Sequence, residues 1–386
     1  MSFADALNSQ NHNHRVKVEY DEETGAVQFD GLVEKEGTEP NLDPIYEAIG
    51  LKPGDTGYRV LGKLGFSAWQ QRTKDGETVW LRAYRGTLVP IAGGITRDEF
   101  QTILDRKQKP ARRTGSTSAS SFIRNTVIGD LQAGKVAERG GTRELAERTN
   151  QIIERMKRIM DEEPADTVLY KDPGDAIEGI NSAPAQKHTN DMSVPEQLEF
   201  SRRALTSLVL AHREHAEHVH VMTCTSNHAA WRDGSGYLGR PGDDFGIDIH
   251  RAVQEAFELA QFDDVTWHLP RVWEEFTVAD IEGMRFALTH GHRARGEAKI
   301  MDWWRGQIFA HPDRLTGVKV FTNGHWHHPY ATVVGPGQWR VQGSSLDGGS
   351  PFFTNMSGES AFPGAITYRI NKETGELQDI RFLEVH

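Results

Sequence analysis

Downstream of residue 120, short apolar segments repeatedly run into polar side chains that can act as metal ligands. The segments 126–128, 167–170, 219–223, 286–289 and 318–322 have the β-branched and apolar character of strands. The polar residues that follow them are Asp130, Asp175, Asn227, His290 and His325. Helical spacing lies between some of them, at Leu145 to Met160 and Leu205 to His218. This alternation predicts an α/β domain whose polar residues meet at the carboxyl edge of its strands.

The composition is that of an ordinary globular protein. Of 386 residues, 37% are hydrophobic and 26% charged, and this length predicts two units. No window approaches the ~18 consecutive apolar residues of a membrane helix, and the polar N-terminus lacks an apolar secretory segment. We therefore expect no membrane contact and a cytoplasmic location. The single cysteine, Cys224, excludes an internal disulfide and predicts a small buried side chain.

The charge balance limits the ways in which this chain could meet nucleic acid. A net charge of −11 argues against coating nucleic acid through the overall field, because phosphate-binding surfaces are normally basic. It does not exclude a nuclease, since bound divalent ions would reverse the field locally.

The N-terminal third predicts a separate small module. Residues 15–33 have the pattern of a hairpin, residues 44–48 of a short helix, and segments near 58–61 and 78–84 of strands. We therefore predict an α+β accessory module at 1–115 and a second domain at 116–386. The basic and serine-rich stretch at 106–120 is either a solvated linker or a strap that touches a polyanion. With the aromatic and basic strand at 80–85, it could guide nucleic acid.

Four short motifs occur in a fixed order along the second domain. They read Gly129-Asp130-Leu131-Gln132, Gly174-Asp175-Ala176-Ile177-Glu178, Ser226-Asn227-His228 and Gly324-His325-Trp326-His327, with His290 before the last. Singly, each residue could serve only to cap or turn a loop. In order, they resemble the motif series of the calcineurin-like metallophosphoesterases, which include the Mre11 and SbcD nucleases. The resemblance covers residues 121–385 and implies a four-layer α/β/β/α sandwich.

The resemblance implies two divalent metal ions and a general acid. The first ion would be held by Asp130, Gln132, Asp175 and His327, and the second by Asp175, Asn227, His290 and His325. Asp175 would bridge the two, and His228 would protonate the leaving oxygen. The family usually has histidine where Gln132 stands, and a neutral amide oxygen favours harder ions. Mn²⁺ is therefore expected before Mg²⁺, Fe²⁺ or Zn²⁺.

The segment after Asp175 helps to choose a substrate class. Phosphoprotein phosphatases carry an arginine that is missing here, and the layout is more similar to the Mre11 and SbcD group, including stand-alone forms of bacteriophages. We therefore expect a DNA nuclease, in the host cytoplasm if phage-encoded. The resemblance also implies an SbcC-like or Rad50-like ATPase partner and a homodimer. Two alternatives stay open: a small-molecule phosphodiesterase or phosphomonoesterase, and a non-catalytic DNA-binding subunit with a weakened metal site.

Several weaker expectations concern residues outside the motifs or beside them. Substrate contacts could come from His292, Arg293, Trp326 and His328. The histidines at 212, 215, 218 and 220 are expected to pack or face solvent rather than bind metal. Segments 339–341, 365–370 and 377–383 are expected to complete the second sheet, and the Gly- and Ser-rich residues 344–349 to form a flexible loop.

Overall fold

The computed structural model divides the chain into two compact units, residues 1–101 and 102–386. It describes residues 17–20, 27–35, 58–60, 65–72, 78–90, 97–107, 120–179, 190–233, 236–240, 242–350, 354–355 and 362–386. The predicted helix at 44–48 and most of the predicted linker lie outside these residues. An accessory, nucleic-acid-binding role for residues 1–115 therefore stays a prediction.

Up to Pro90, the described part of the first unit is an antiparallel sheet. Its strands pair in the order β1-β2-β5-β3, and β4 also pairs with β5. The predicted hairpin is the β1–β2 pair. The strands are β1 (Lys17–Tyr20), β2 (Val27–Lys35), β3 (Tyr58–Val60), β4 (Gly65–Arg72) and β5 (Thr78–Pro90).

Helices and strands alternate in the second unit, as predicted. Helix α1 (Arg97–Asp105) spans the boundary between the two units. The other helices are α2 (Thr142–Glu162), α3 (Val194–Arg213), α4 (Phe245–Leu259), α5 (Ile300–Ala310) and α6 (Pro312–Leu315), with a 3₁₀ turn at Glu297–Lys299. Helix α3 begins after Ser193, whose side chain and that of Glu196 form a capping box. No helix in the described part of the chain is long and apolar enough to cross a bilayer.

A six-stranded sheet, sheet I, has the order β11-β8-β7-β6-β17-β18. Strands β11, β8, β7 and β6 are parallel, whereas β17 and β18 add antiparallel strands beyond β6. The strands are β6 (Phe122–Val127), β7 (Thr167–Asp172), β8 (His218–Thr223), β11 (Val265–His268), β17 (Gly364–Asn371) and β18 (Leu377–Glu384). A small hairpin joins β9 (Arg232–Asp233) to β10 (Gly236–Tyr237).

A five-stranded sheet, sheet II, has the order β12-β13-β14-β16-β15. Its strands are β12 (Thr277–Ile281), β13 (Met284–Thr289), β14 (Val318–Asn323), β15 (Tyr330–Gly335) and β16 (Gln338–Gln342). The expectation that segments 365–370 and 377–383 complete this sheet is wrong. They are β17 and β18, and they extend sheet I because β17 pairs along β6 from Phe122 to Val127.

The two sheets pack face to face over one apolar core. Phe286, Leu288 and Val320 of sheet II lie in the same buried cluster as Leu169 and Tyr368 of sheet I. Side chains alternate along a strand, so Ala287 and Phe321 point the other way. They pack in a second cluster with Ile300 and Trp304 of α5.

Helices cover both outer faces. Helix α3 contacts β7 and β8 as well as α2 and α4, which places these three helices on the outside of sheet I. Helix α5 covers the outside of sheet II through Trp304, which stacks on Phe321 at 4.1 Å. The second unit is therefore an α/β/β/α sandwich, as predicted.

Candidate metal centre

The predicted ligands lie where parallel strands end. Strands β6, β7 and β8 run in register, so the loops that carry Asp130, Asp175 and Asn227 leave sheet I at one edge. Strands β13 and β14 of sheet II are also parallel and deliver His290 and His325. Two sheets thus contribute donors to one region.

The backbone at the predicted ligands is strained. Positive φ, which side chains other than glycine rarely adopt, occurs at nine non-glycine residues of the described chain. Five of these are predicted ligands: Asp130 (48°), Gln132 (44°), Asp175 (49°), His325 (74°) and His327 (60°). Such conformations cost roughly 1 to 3 kcal/mol each and persist where the surroundings over-determine them. The surroundings of the predicted ligands therefore hold an unfavourable backbone at five positions of this region.

Hydrogen bonds between the first two ligand loops hold this backbone in place. The amide of Asp130 donates to Gly174 O at 2.9 Å, and that of Gln132 donates to Asp175 O at 2.8 Å. A side chain at Gly324 would place its Cβ 2.5 Å from Asp130 Oδ2, so only glycine lets the loop that carries His325 approach Asp130. The loops therefore hold the donors at fixed positions.

His290 is the centre of the donor group. Its Nδ1 lies 2.9 Å from Pro173 O and must donate to it, because a carbonyl oxygen only accepts. Its Nε2 faces Asn227 Oδ1 at 2.8 Å, Asp175 Oδ2 at 3.0 Å and His325 Nδ1 at 3.1 Å. A single hydrogen on Nε2 could make a good hydrogen bond to only one of these three atoms. A cation, in contrast, can accept lone pairs from all three and from Nε2 itself.

Electrostatics at His290 favour a cation in the same way. Burial by itself lowers the pKa of His290, but the carboxylates of Asp175 and Asp130 outweigh this effect and raise that pKa to about 9. Burial by itself raises the pKa of Asp175, but the nearby His290 and His228 hold that pKa well below its usual range. The donor group thus attracts positive charge, and a bound metal would displace the His290 proton.

The residues predicted for the second ion fit a divalent metal. Among the described residues, Asp175, His290 and His325 form one group whose ligand atoms all lie within 4.8 Å of one another. Asn227 adds an amide oxygen next to His290. Asp175 Oδ2 is buried and has no hydrogen bond that meets normal geometry in the described structure. Two imidazoles with two oxygens suit Mn²⁺, Fe²⁺ or Zn²⁺.

The residues predicted for the first ion are engaged differently. Gln132 Oε1 accepts a hydrogen bond of 2.6 Å from the ammonium of Lys135, which also binds Asp347 Oδ2. His327 faces two carboxylates, with Nδ1 at 3.5 Å from Asp347 and Nε2 at 3.6 Å from Asp130. Burial raises the pKa of Asp130 to about 8. The structure thus brings these residues together, but a lysine cation lies among them.

His228 lies beside the donor group and is oriented by a buried acid. Its Nδ1 is 3.2 Å from Glu178 Oε2 and 3.3 Å from Glu178 O. This leaves Nε2 available to another partner. Burial by itself lowers the pKa of His228, but Asp175 and then Glu178 outweigh this effect and raise that pKa. The ring therefore tends to hold its proton. The backbone amides of Asn227 and His228 donate to Asp175 Oδ1 at 3.1 and 2.8 Å, which fixes this loop.

Helix α4 supports two of the ligand loops. His250 Nε2 lies 2.8 Å from Asp172 Oδ2, and Asp172 Oδ1 accepts from the Gly174 amide at 2.9 Å. The N-cap residue Asp244 accepts from the Ser226 amide at 2.9 Å. One helix therefore fixes the segments that precede Asp175 and Asn227.

The four residues expected to contact substrate occupy different settings. Arg293 pairs with Glu275 at 2.5 Å, and His328 lies 3.1 Å from Glu297. The His292 ring lies tilted beside that of His290, with 5.4 Å between ring centres, and burial lowers its pKa to about 3, so it is neutral. Trp326 packs edge-on against His325. Arg293 and His328 thus face acidic partners, and substrate contact by all four stays a prediction.

The remaining histidine expectations also have a structural outcome. His212 is buried against Tyr170 and lies 2.9 Å from Thr126 Oγ1, and His220 stacks on His268. These histidines pack, as expected. Cys224 is buried, as predicted.

Sequence reasoning missed Asp347 and Lys135, whose side chains contact the predicted ligands. Asp347 lies in the segment 344–349, which is not the flexible loop that was expected. Ser344, Ser345 and Leu346 are buried there, and Ser345 Oγ donates to Asp130 O at 2.8 Å. Lys135 closely follows Gln132, and its proximity could have suggested a contact, but nothing in the pattern predicts that an ammonium is buried.

Comparisons with known proteins add little to this geometry. No protein-family model and no curated protein match the sequence. Among solved structures, Vps29 of Chaetomium thermophilum is 10% identical over 68% of this chain and 97% of its own, with a TM-score of 0.29. A structure of PhoD is 10% identical over 97% of this chain and 90% of its own, with a TM-score of 0.34. Because these scores are low, the architecture rests on the chain's own sheets and helices.

Proposed function

We propose that this protein is a metal-dependent phosphodiester hydrolase that cleaves DNA. The observation that carries the proposal is the convergence of Asp175, Asn227 and His325 on His290 Nε2 within 3.1 Å, beside a histidine paired with a buried acid. Phosphodiester hydrolysis needs positive charge on the phosphoryl oxygens, an activated water and a proton for the leaving oxygen.

The chain's own residues have clear parts in such a reaction. A divalent ion held by Asp175, Asn227, His290 and His325 would polarise the phosphoryl group and lower the pKa of a bound water. Asp175 stays oriented because two backbone amides hold its other oxygen. Glu178 orients His228 through Nδ1, so that Nε2 can donate a proton to the leaving oxygen.

DNA as the substrate is supported by the resemblance to the Mre11 and SbcD group and by one surface feature. Trp231 lies four positions after Asn227 and is 56% exposed, and its ring stacks on Phe245 at 5.9 Å. An exposed indole held in place by a neighbouring ring can stack on an unpaired base, and such stacking strengthens the binding of single strands by about 1 to 3 kcal/mol per base. An ATPase partner and a homodimer belong to the same proposal and rest on the resemblance alone.

Hydrolysis by the Mn²⁺-loaded protein tests the proposal. Labelled single- and double-stranded DNA are compared with bis-p-nitrophenyl phosphate and p-nitrophenyl phosphate. The variant His228→Ala should lose activity about 100-fold or more while it retains metal, since general acids contribute factors of roughly 10² to 10⁴. His215→Ala is a matched control, because that histidine pairs with Asp161 rather than with the ligand loops.

Each outcome has a distinct meaning. Loss of DNA cleavage in His228→Ala but not in His215→Ala supports the nuclease. Cleavage of the small esters alone refutes DNA as the substrate and favours a small-molecule phosphodiesterase or phosphomonoesterase. Failure on every substrate with metal demonstrably bound refutes the hydrolase.

A further inference from the structure

We propose that this protein binds one divalent cation per chain, and that the ammonium group of Lys135 takes the place of a second. The inference rests on the metal dependence proposed above, but not on the choice of DNA as substrate. It concerns the residues for which sequence resemblance implied a first ion: Asp130, Gln132, Asp175 and His327.

The Lys135 side chain is built into this position rather than resting against it. Only 4% of the side chain is exposed, and the same holds for its partner Asp347. Its Nζ lies 2.6 Å from Gln132 Oε1 and hydrogen bonds to Asp347 Oδ2. The Lys135 amide donates to Gln132 O at 3.0 Å, so a tight turn returns the lysine to the glutamine.

Asp347 is itself fixed and cannot easily follow a departing lysine. Its amide donates to Ser345 Oγ at 2.9 Å, and its Oδ1 accepts from the Gly349 amide at 3.0 Å. If the ammonium left, Asp347 would remain as a buried carboxylate without its cation, which is strongly unfavourable. The pair is therefore a permanent part of the site.

An ammonium and a metal ion exclude each other at Gln132. Lysine offers only N–H donors and no lone pair, so it repels a cation that would share the Gln132 oxygen. Gln132 brings no negative charge with which to recruit a metal against that repulsion. A histidine at this position could not accept the Lys135 hydrogen bond through a metal-bound nitrogen. The glutamine and the lysine thus form a matched pair.

The two halves of the site differ in geometry as well as in charge. Around His290, the donor atoms lie 2.8 to 3.1 Å from Nε2. Around His327, the nearest carboxylates lie 3.5 and 3.6 Å from its ring nitrogens. Within the described residues, the cluster with metal-ligand spacing contains Asp175, His290 and His325 but neither Asp130 nor His327. One half is arranged for a metal, and the other is already neutralised by lysine.

Metal counting tests the inference without reference to activity. Metal-free protein is titrated with Mn²⁺ by calorimetry, and the bound metal is measured by elemental analysis after dialysis. The electron paramagnetic resonance spectrum of the bound Mn²⁺ is then recorded. We expect one ion per chain with the hyperfine pattern of an isolated Mn²⁺. His325→Ala should lose that ion, and Gln132→Ala should retain it. In the double variant Gln132→His, Lys135→Met, a second ion should bind and broaden the spectrum by exchange coupling.

The outcomes separate this inference from the proposed function. Two ions per wild-type chain with a coupled spectrum would overturn the lysine inference and leave a metal-dependent hydrolase intact. No bound ion in the wild type would overturn both. Loss of metal in Gln132→Ala would also count against the inference, because that residue would then be a ligand. The wild-type and Gln132→Ala measurements leave Lys135 in place, so a double variant that fails to fold does not weaken the test.

Discussion

Removing the His250 side chain should both destabilise the protein and weaken metal binding. His250 and Asp172 form a buried pair, with 1% and 6% of their side chains exposed and 2.8 Å between Nε2 and Oδ2. Asp172 in turn accepts a hydrogen bond from the amide of Gly174, which precedes the predicted ligand Asp175. In His250→Ala, the Asp172 carboxylate would be deprived of its side-chain donor and the imidazole would leave a cavity.

The size of the effect follows from the hydrogen bond that the substitution removes and from the carboxylate that it leaves buried. A hydrogen bond to a charged group contributes about 1.5 to 3 kcal/mol, and breaking a buried pair costs about 3 to 5 kcal/mol. We expect His250→Ala to be destabilised by about 3 kcal/mol, which corresponds to a fall in melting temperature of roughly 5 °C for a unit of this size. Mn²⁺ affinity should fall roughly tenfold, the lower end for partners that orient metal ligands.

Thermal unfolding and Mn²⁺ calorimetry check both numbers. His250→Gln keeps an N–H donor at a similar distance and should recover most of the stability and affinity. The neighbouring surface variant Arg251→Ala controls for the altered helix and should stay within about 0.5 kcal/mol of the wild type. The reasoning is refuted if His250→Ala melts within about 1 °C of the wild type, or if the glutamine variant is no better than the alanine.

Two further predictions concern the pH dependence of stability. Burial holds the pKa of Lys171 well below its ordinary value. Between the folded pKa and about 10.4, the unfolded chain therefore binds a proton that the folded chain does not. Over that range the free energy of unfolding should rise by about 1.4 kcal/mol per pH unit. Urea unfolding of Lys171→Met between pH 7 and 9.5 should lack this slope, and parallel curves would contradict it. Burial lowers the pKa of His212 to about 4, so its stabilisation is complete above about pH 6.5 and about 3 kcal/mol is lost as the pH falls toward 4. His212→Gln should remove that loss, and an unchanged acid limb in urea unfolding would show that another group causes it.

The strands that carry the predicted ligands could be read from the sequence because their signal is local. The predicted segment 318–322 is β14 (Val318–Asn323), and 167–170 falls within β7 (Thr167–Asp172). Helix α4 was missed although Asp244 is an N-cap type and Ile249, Val253 and Phe257 are spaced for one helical face. Predicting α3 at Leu205 to His218 missed its start, because its first turns carry Pro195 and a capping box before the apolar run.

Sheet membership could not be read in the same way. Strands β16 and β17 both alternate, and alternation says only that one face is buried. Which sheet a strand joins depends on the free edge that is available, and β17 finds it on β6, which precedes it by more than two hundred residues. Lys135 and Asp347, 212 positions apart, pose the same problem for the site. Long-range pairing is decided by the fold, whereas the spacing of motifs is decided locally.

The ligand geometry links the stability of the fold to the chemistry of the site. Asp130, Asp175 and His325 keep a left-handed backbone that opposes folding by roughly 1 to 3 kcal/mol each. Cross-loop hydrogen bonds and the supports from α4 offset part of that cost. A metal ion that binds only the folded state would stabilise it further by mass action, because donors that repel or compete for one proton would then share a cation. In the site as proposed, the His290 half would gain this stabilisation from a metal, and Lys135 would supply the cation of the Gln132 half.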